Sequence, residues 1–259
     1  MKFYPGLNII PTTNPMGFDY GTGCFGPVVE YRTLSSIRKS LLDPNCEGPD
    51  PVYAIAMDVG KEIHKPFLIE HNLLFGVVTY AAGHLGDEPV RTQGHIHKIT
   101  RGNTISPPEI YEIWEGKAII YMQETANDNP GRCFAVEAGP GEIIIVPPDW
   151  AHATISADPN IPLTFGAWCD RDYGFEYEKV RAHNGMAWFP VLTKNEEINW
   201  IPNKNYKYNS LIKKRPENYE SLGIRKGIPI YTIFEEDPEI FLYVAQPQNK
   251  NNVWNNFIP

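Results

Sequence analysis

Two histidines one residue apart are the first candidates for chemistry in this sequence. His95 and His97 lie in the segment "TQGHIH", directly after a glycine, in a chain that has 7 histidines. Side chains at positions i and i+2 share a face in a β-strand, whereas on a helix they diverge. In an extended segment both imidazoles could therefore contact one ligand, and imidazole is the commonest metal ligand. A bare pair is also compatible with surface or hydrogen-bonded core histidines, so other residues must decide.

Two longer segments extend this pattern. In the first, "GHIHKITRGNTISPPEIYEIWEG", Glu109 lies seven positions before Gly116. In the second, "GEIIIVPPDWAHAT", Pro147 follows Gly141 by six positions and His152 follows that proline by five. These intervals resemble the two signature motifs of the cupin superfamily, G-x5-H-x-H-x(3-4)-E-x6-G and G-x5-P-x-G-x2-H-x3-N. The resemblance implies a double-stranded β-helix, or jelly-roll, barrel.

The match departs from the cupin motifs in three places. Asp149 stands at the position of a motif glycine, and Ser156 stands at the position of the terminal asparagine. Eleven residues separate His97 from Glu109, which is more than the motif has. Glu112 therefore competes for the carboxylate role, and Glu109 is preferred because it keeps the motif distance to the following glycine.

The cupin resemblance implies a metal site with the ligands His95, His97, Glu109 and His152. Three imidazoles and one carboxylate from neighbouring strands give a mixed nitrogen and oxygen shell that leaves one or two positions open for substrate or water. We expect one divalent metal per subunit, with iron(II) preferred and zinc, manganese or nickel compatible. A closed structural zinc site would more often use cysteine.

Five segments narrow the resemblance within the superfamily. They are "PVYAIAM", "GHLGDEPVRTQGHIH", "PPEIYEIWEGKAIIYMQ", "PGEIIIVPPDWAHATI" and "DRDYGFEYEKV". Their order and approximate spacing are similar to those of the cupin-type glucose-6-phosphate isomerases first recognised in archaea, over about residues 30–180. The resemblance implies a metal-dependent aldose–ketose isomerase that interconverts glucose 6-phosphate and fructose 6-phosphate.

The same resemblance implies the residues that bind the sugar phosphate. They are Thr92, Gly94, Tyr111, Tyr173 and Tyr53. Val78 replaces a family threonine near the phosphate, Arg171 replaces a histidine before "DYG", and Arg91 replaces a lysine and keeps its charge. We therefore expect Arg91 or Arg171 to supply positive charge for the phosphate.

Glu109 is the candidate catalytic residue. In one route it is a general base that shuttles hydrogen between C1 and C2 through a cis-enediol. In the other route it is only a metal ligand, and hydrogen moves between the two carbons as hydride. The sequence leaves both routes open. It also leaves open mannose 6-phosphate or another sugar as substrate, an iron(II) dioxygenase, and a non-catalytic metal- or sugar-binding cupin.

Short apolar runs bounded by glycine or proline must position these residues, and they predict a mainly β protein. We expect strands at 73–80, 117–123 and 142–147, and a helix at 32–43 that packs outside the barrel.

The chain is predicted to have three parts. The region after residue 182 is polar and is predicted to be a long irregular arm, followed by a terminal β-hairpin in which "DPE" joins "IPIYTIF" to "IFLYVAQP". The predicted parts are an N-terminal extension (1–50), a cupin barrel with the metal site (51–180) and a C-terminal arm packed on the barrel or on a partner subunit (181–259).

Composition limits the possible partners. The 259 residues include 23 Lys+Arg and 31 Asp+Glu, a formal net charge of −8. This balance argues against binding to nucleic acid or to an anionic membrane, because both need a basic face. No apolar run approaches the roughly 20 residues that cross a bilayer. Scattered cysteines and the lack of an export signal predict reduced thiols and a cytoplasmic location. The extended N-terminal and C-terminal arms contain aromatic residues that could be buried between two subunits, and they predict a homodimer.

Overall fold

The structure, a computed structural model that describes residues 3–259, consists mainly of short strands. The 24 prolines and 21 glycines interrupt the apolar runs, and no strand in the described part exceeds the 8 residues of β7. The strands are β1 (Ile9–Thr13), β2 (Met16–Tyr20), β3 (Cys24–Phe25), β4 (Glu30–Arg32), β5 (Tyr53–Met57), β6 (Gly60–Lys61), β7 (Leu73–Tyr80), β8 (His84–Leu85), β9 (Glu88–Pro89), β10 (Ile96–His97), β11 (Glu109–Glu115), β12 (Ala118–Gln123), β13 (Cys133–Ala138), β14 (Ile143–Val146), β15 (Ala151–Ser156), β16 (Thr164–Asp170), β17 (Phe175–Glu176), β18 (Trp188–Leu192), β19 (Ile198–Pro202) and β20 (Leu211–Lys214).

The helices are short and lie mostly near the two ends of the chain. They are α1 (Leu34–Ile37), α2 (Lys65–Glu70), α3 (Glu178–Ala182), α4 (Ile230–Glu236), α5 (Leu242–Ala245) and α6 (Asn251–Trp254), with 3-10 turns at Arg38–Ser40, Glu62–His64, Glu220–Leu222, Pro238–Phe241 and Pro247–Lys250. Within residues 3–259, no helix has the length and apolar character needed to cross a membrane.

Two largely antiparallel sheets face each other and enclose a hydrophobic core. One sheet has six strands in the order β14-β11-β16-β7-β5-β4, and the other has four in the order β15-β12-β13-β20. Inward side chains of both sheets meet in this core, among them Val78, Ile120 and Phe165. The three predicted strands are β7, β12 and β14, and each is confirmed to within one residue at either end.

The outer faces of both sheets are covered as well. The C-terminal helices pack on the six-stranded sheet, where the Trp168 ring stacks on Tyr231 at 5.6 Å. The β18–β19 hairpin packs on the four-stranded sheet, where the Tyr121 and Trp200 rings lie 5.6 Å apart. Strand β7 is buried along its whole length because neither of its faces reaches solvent.

The N-terminal extension is part of the barrel wall. Strand β4 pairs with β5 at the edge of the six-stranded sheet and places Arg32 opposite Tyr53. The helix predicted at 32–43 is present but shorter, because α1 changes into the 3-10 turn Arg38–Ser40. The carbonyl of Ser40 accepts a 2.7 Å hydrogen bond from Arg91 Nη2, which ties the end of this helical segment to the barrel.

The predicted terminal β-hairpin is wrong. The run "IPIYTIF" forms α4 after Pro229, and "IFLYVAQP" forms a 3-10 turn and α5. The buried residues of α4 are Ile230, Tyr231, Ile233 and Phe234. Their spacing is that of one helical face, which packs against Trp168, and this tertiary contact overrides the strand propensity of β-branched and aromatic residues.

The region after residue 182, predicted to be irregular, also contains ordered strands. Strands β18 and β19 form a hairpin, and β20 pairs in parallel with β13. The division of the chain at residues 50 and 180 stays a prediction.

Candidate metal centre and its cavity

Four side chains converge at one point inside the barrel. The ligand atoms of His95, His97, Glu109 and His152 all lie within 4.8 Å of one another. Glu109 Oε2 is 3.2 Å from His97 Nε2 and 3.3 Å from His152 Nε2. Donors that each bind one ion at about 2.1 Å are separated by about 3 to 4 Å, so these spacings suit a shared metal.

Backbone pairing brings the histidines together. His95 and His152 face each other in an antiparallel bridge, in which the N–H of each donates to the carbonyl of the other at 3.0 and 2.9 Å. His97 pairs with Phe175 on β17. The segment that carries the first two histidines is therefore extended, as predicted.

Two backbone carbonyls orient the imidazoles. His97 Nδ1 lies 3.0 Å from the carbonyl of Pro107, and His152 Nδ1 lies 3.3 Å from that of Trp150. A carbonyl only accepts, so Nδ1 carries the proton and Nε2 presents its lone pair to the centre. Within residues 3–259, His95 Nε2 and His152 Nε2 are buried and have no hydrogen-bond partner. A metal ion would satisfy these lone pairs, so the donor set fits a divalent metal.

The pKa directions of His95, His152 and Glu109 favour the protonation states in which these groups bind a metal. Burial, reinforced by the neighbouring imidazoles, lowers the pKa of His95 well below its ordinary value, and burial lowers the pKa of His152. Burial opposes ionisation of Glu109, but its close contacts with His152 and His97 outweigh burial and hold the pKa of this carboxyl well below its usual range. For His97, burial opposes the charged form and the contact with Glu109 raises the pKa.

The Glu109 carboxylate has a further donor on each oxygen. Tyr111 O–H donates to Oε2 at 2.6 Å, and Cys169 S–H donates to Oε1 at 3.4 Å. Burial, then the adjacent carboxylate, raises the pKa of Tyr111 well above its usual value, so this phenol keeps its proton. Both contacts hold the carboxylate in one orientation.

Glu112, the competing glutamate, lies outside the centre. Side chains alternate along β11, so Glu112 projects from the opposite face of the sheet to Glu109. Its Oε1 accepts from the Ile230 N–H at 2.8 Å, and its Oε2 accepts from Trp114 Nε1 at 3.0 Å. Burial raises the pKa of Glu112 to about 8.

The long insertion before the metal-site glutamate, residues 98–108, is a loop held at several points. Thr100 Oγ1 donates to Asp170 Oδ2 at 2.7 Å. Asn103 Nδ2 donates to Thr100 Oγ1 at 2.7 Å and to the carbonyl of Ala245, the last residue of α5, at 2.9 Å. The loop is therefore fastened both to the sheet and to the C-terminal region.

Asp149 accounts for one departure from the cupin motif. Its φ is 67°, in the left-handed region that favours glycine and that aspartate enters more readily than most other residues. Asp149 Oδ1 accepts from the Ser106 N–H at 2.9 Å, and the Asp149 N–H donates to Ser106 Oγ at 2.7 Å. The motif glycine is thus a backbone requirement that aspartate meets here.

A cavity adjoins the metal centre. His95 and Glu109 form part of its lining, and three predicted substrate residues, Thr92, Tyr111 and Tyr53, also line it. Thr92 Oγ1 accepts from the Thr154 N–H at 3.1 Å, so its hydroxyl proton can be donated to a ligand. The structure brings these predicted residues together.

The two arginines predicted to bind phosphate do not line the cavity. Arg91 is 2% exposed, and its Nε and Nη2 donate to Glu88 Oε1 at 2.7 and 2.5 Å. Arg171 forms a two-point pair with the Asp58 carboxylate at 2.8 and 2.7 Å. Each guanidinium is paired with a carboxylate, and neither the arginines nor these carboxylates line the cavity.

Gly94 and Tyr173 also lie outside the lining. Gly94 has a φ of 87°, and a Cβ there would come within 2.5 Å of Met186 Sδ. The positive φ and the close packing before the first histidine therefore both require glycine at position 94. The Tyr173 ring instead lies 5.5 Å from the Phe175 ring, which itself lines the cavity.

Several polar lining residues were not predicted. They are Arg32, Tyr80, Gln93, Thr154 and Tyr177. Thr154 could have been found, because it lies two positions after a predicted metal ligand and would share its face if this segment is a strand, as β15 is. Arg32 could not, because its place depends on the pairing of β4 with a distant part of the chain.

A jelly-roll of two sheets whose inner face gathers a His-x-His pair, a glutamate and a later histidine has the arrangement of a cupin metal centre. A sequence model of the family described as "Glucose-6-phosphate isomerase (GPI)" matches residues 40–210, more than half of the chain. The chain belongs to the glucose-6-phosphate isomerase family, in its cupin-type branch.

Individual relatives agree with this assignment. The chain is 28% identical over 196 residues to "Glucose-6-phosphate isomerase" of Pyrococcus furiosus, covering 73% of this chain and 94% of the relative. It is 30% identical over 202 residues to the protein of the same name from Thermococcus kodakarensis, covering 74% and 97%. Among solved structures, oxalate decarboxylase from Bacillus subtilis is 14% identical with a TM-score of 0.37, covering 60% of this chain and 32% of that one, an overlap too small to carry an argument.

Proposed function

We propose that this protein is a metal-dependent glucose-6-phosphate isomerase. Family membership supports the reaction, and the convergence of three imidazoles and one carboxylate beside a hydroxyl-lined cavity supports the metal dependence. This convergence is the observation that carries the proposal. The relatives bear the name of this enzyme, and the match with this chain covers most of the length of each.

His95, His97, Glu109 and His152 would hold one divalent metal, and iron(II) is our first expectation. The bound metal would polarise the vicinal oxygens of the open-chain sugar and make the C–H bond beside the carbonyl more acidic. Thr92 and Tyr111 contribute hydroxyl groups to the cavity wall, where they would bind and orient the sugar.

Glu109 would hold or move the proton, and two routes are distinguishable. Its pKa lies well below the usual range, which makes it a weak base while its contacts with His152 and His97 persist. As a base it would exchange hydrogen from C2 with water, whereas a hydride shift would retain it. Substantial exchange of deuterium at C2 with water during turnover would support Glu109 as the base and would exclude a pure hydride shift.

The test is a coupled assay of fructose 6-phosphate conversion to glucose 6-phosphate by metal-loaded and chelated protein. We expect activity only in the metal-loaded protein, and elemental analysis should find one metal per chain. His152→Ala should lose both. Activity that survives full chelation would contradict the metal dependence, and a metal-loaded protein inert towards glucose, fructose and mannose 6-phosphates would contradict the isomerase.

The finer assignments are also proposals. Mannose 6-phosphate as an additional substrate is tested in the same assay, because one cavity could serve both epimers. A homodimer, expected from the aromatic arms, is tested by light scattering at micromolar concentration, where a monomer mass would refute it. We also propose a cytoplasmic location.

A further inference from the structure

One basic side chain faces the cavity. Arg32, at the end of β4, is the only lysine or arginine in its lining among residues 3–259. Its register partner is Tyr53, which in turn lies opposite Tyr80 on β7. Directly opposed residues share a face, so the three side chains form a row from the edge of the sheet towards the cavity.

Two phenol groups accompany Arg32. Burial raises the pKa of Tyr53 and of Tyr177, and the nearby Arg32 guanidinium opposes the rise in both. Both phenols therefore keep their protons and can donate beside the guanidinium. The ring of Tyr177 also lies 6.0 Å from that of His95, so Tyr177 connects this group to the metal centre.

The ion pair between Arg32 and Glu30 is exposed to solvent. Arg32 Nη1 contacts Glu30 Oε2 at 3.1 Å, and the side chains of the two residues are 29% and 62% exposed. Exposed ion pairs of this kind contribute little to stability. By contrast, Arg91 is buried against Glu88, and Arg171 meets Asp58 at two points. Of these three arginines, Arg32 has the most exposed ion pair, and it can most readily leave its glutamate to bind another anion.

We propose that Arg32, with Tyr53 and Tyr177, binds the phosphate group of the substrate. This inference rests on the proposed function, from which it takes a sugar phosphate as the ligand. A guanidinium binds two phosphate oxygens at once, and phenol hydroxyls add further hydrogen bonds. An open-chain hexose 6-phosphate carries its reacting carbons at one end and its phosphate at the other. The cavity lining likewise contains candidate metal ligands for the first end and the Arg32 guanidinium for the second.

The direct test measures binding of glucitol 6-phosphate, which has no carbonyl and does not isomerise, to metal-loaded protein by titration calorimetry. Arg32→Ala should raise Kd by about 10- to 100-fold, the cost of a charged hydrogen-bond partner. Arg32→Lys should recover part of the loss, because lysine keeps the positive charge but cannot bind two phosphate oxygens with one planar group. Metal content should stay at one per chain in both variants. A Kd for Arg32→Ala within twofold of the unaltered value would overturn the inference.

Arg215→Ala is the matched control. Arg215 pairs with a partly exposed glutamate, Glu137, at 3.0 Å on the outside of the four-stranded sheet. Its removal should leave the Kd for glucitol 6-phosphate unchanged. An equal loss of affinity in the Arg32 and Arg215 variants would show a general effect of net charge and would contradict the inference.

Glu30→Gln gives a test that does not depend on removing Arg32. Because Glu30 competes with the phosphate, its neutralisation should tighten glucitol 6-phosphate binding by a few-fold. The gain should vanish when Glu30→Gln is combined with Arg32→Ala. A gain of the same size in both backgrounds would mean that Arg32 is not the group released.

Failure of this inference is distinguishable from failure of the proposed function. A protein that binds glucitol 6-phosphate through Arg32 but isomerises no hexose phosphate would refute the function and keep the binding role. A protein that isomerises glucose 6-phosphate while Arg32→Ala binds normally would refute the binding role alone.

Discussion

Glu109 and Glu112 lie three residues apart on β11 and project from opposite faces of the six-stranded sheet. Glu109 faces three imidazoles; burial opposes its ionisation, but its contacts with His152 and His97 hold its pKa well below the usual range. Glu112 faces the packed C-terminal helices, where burial raises its pKa to about 8. The same residue type on one strand thus belongs to a candidate metal-binding group on the inner face and accepts hydrogen bonds from the start of α4 and from Trp114 on the outer face.

The difference shows how the two faces divide their roles. The inner face leaves lone pairs unsatisfied at its centre, as a metal site requires. On the outer face, both oxygens of Glu112 accept hydrogen bonds, from Ile230 and Trp114, and this links the sheet to the start of α4. The same substitution at the two positions should therefore have unlike effects.

The largest expected effect is the loss of metal in Glu109→Gln. Removal of a direct ligand should weaken metal affinity beyond the roughly 10- to 100-fold that loss of an outer-shell partner costs. Glu112→Gln, its matched control, should keep one metal per chain and its isomerase activity. Elemental analysis and a metal-competition titration of both variants measure this contrast, and equal metal loss in both would break the proposed division of roles.

The next effect is a pH dependence of stability that belongs to Glu112. The folded-state pKa of about 8 lies above the ordinary value of 4.5, so the folded protein binds the proton more tightly than the unfolded chain. This contribution to stability is fully present below about pH 4.5 and is lost as the pH rises to about 8, with a slope of at most about 1.4 kcal/mol per pH unit.

Glu112→Gln removes this titration and serves as the reference. Urea unfolding of both proteins from pH 5 to 9, in the same metal state, should show the unaltered protein losing stability relative to the variant up to pH 8 and no further. A constant difference between the two proteins over this range would refute the raised pKa.

The smallest expected effect concerns the loop that connects the two faces. Asn103→Ala removes the contacts to Thr100 and to the Ala245 carbonyl and should cost about 1 kcal/mol of folding stability. Because the same loop ends near the carbonyl that orients His97, metal affinity should fall by a few-fold. Asn205→Ala, which removes a bond to the carbonyl of His183 elsewhere, should leave metal affinity unchanged, and an equal fall in both would contradict a role for the loop.

The sequence by itself predicted the four side chains that converge inside the barrel and three of the strands of its wall. The period of two in a strand places the first two histidines on one face, which is a local property of the backbone. The preference for Glu109 came from the cupin resemblance, whose motif has the same distance to a glycine. The strands β7, β12 and β14 followed from short apolar runs bounded by glycine or proline, which pack in the same way wherever a sheet is buried.

Only the tertiary structure decided the charges around the cavity and the form of the C-terminal region. Arg91 and Arg171 looked available in sequence, but each is paired with a carboxylate, and Arg32 reaches the cavity because β4 pairs with β5. The residues of α4 have strand propensity, yet their packing on Trp168 selects a helix. Charge pairing and burial depend on contacts between distant segments, which residue spacing along a single chain does not contain.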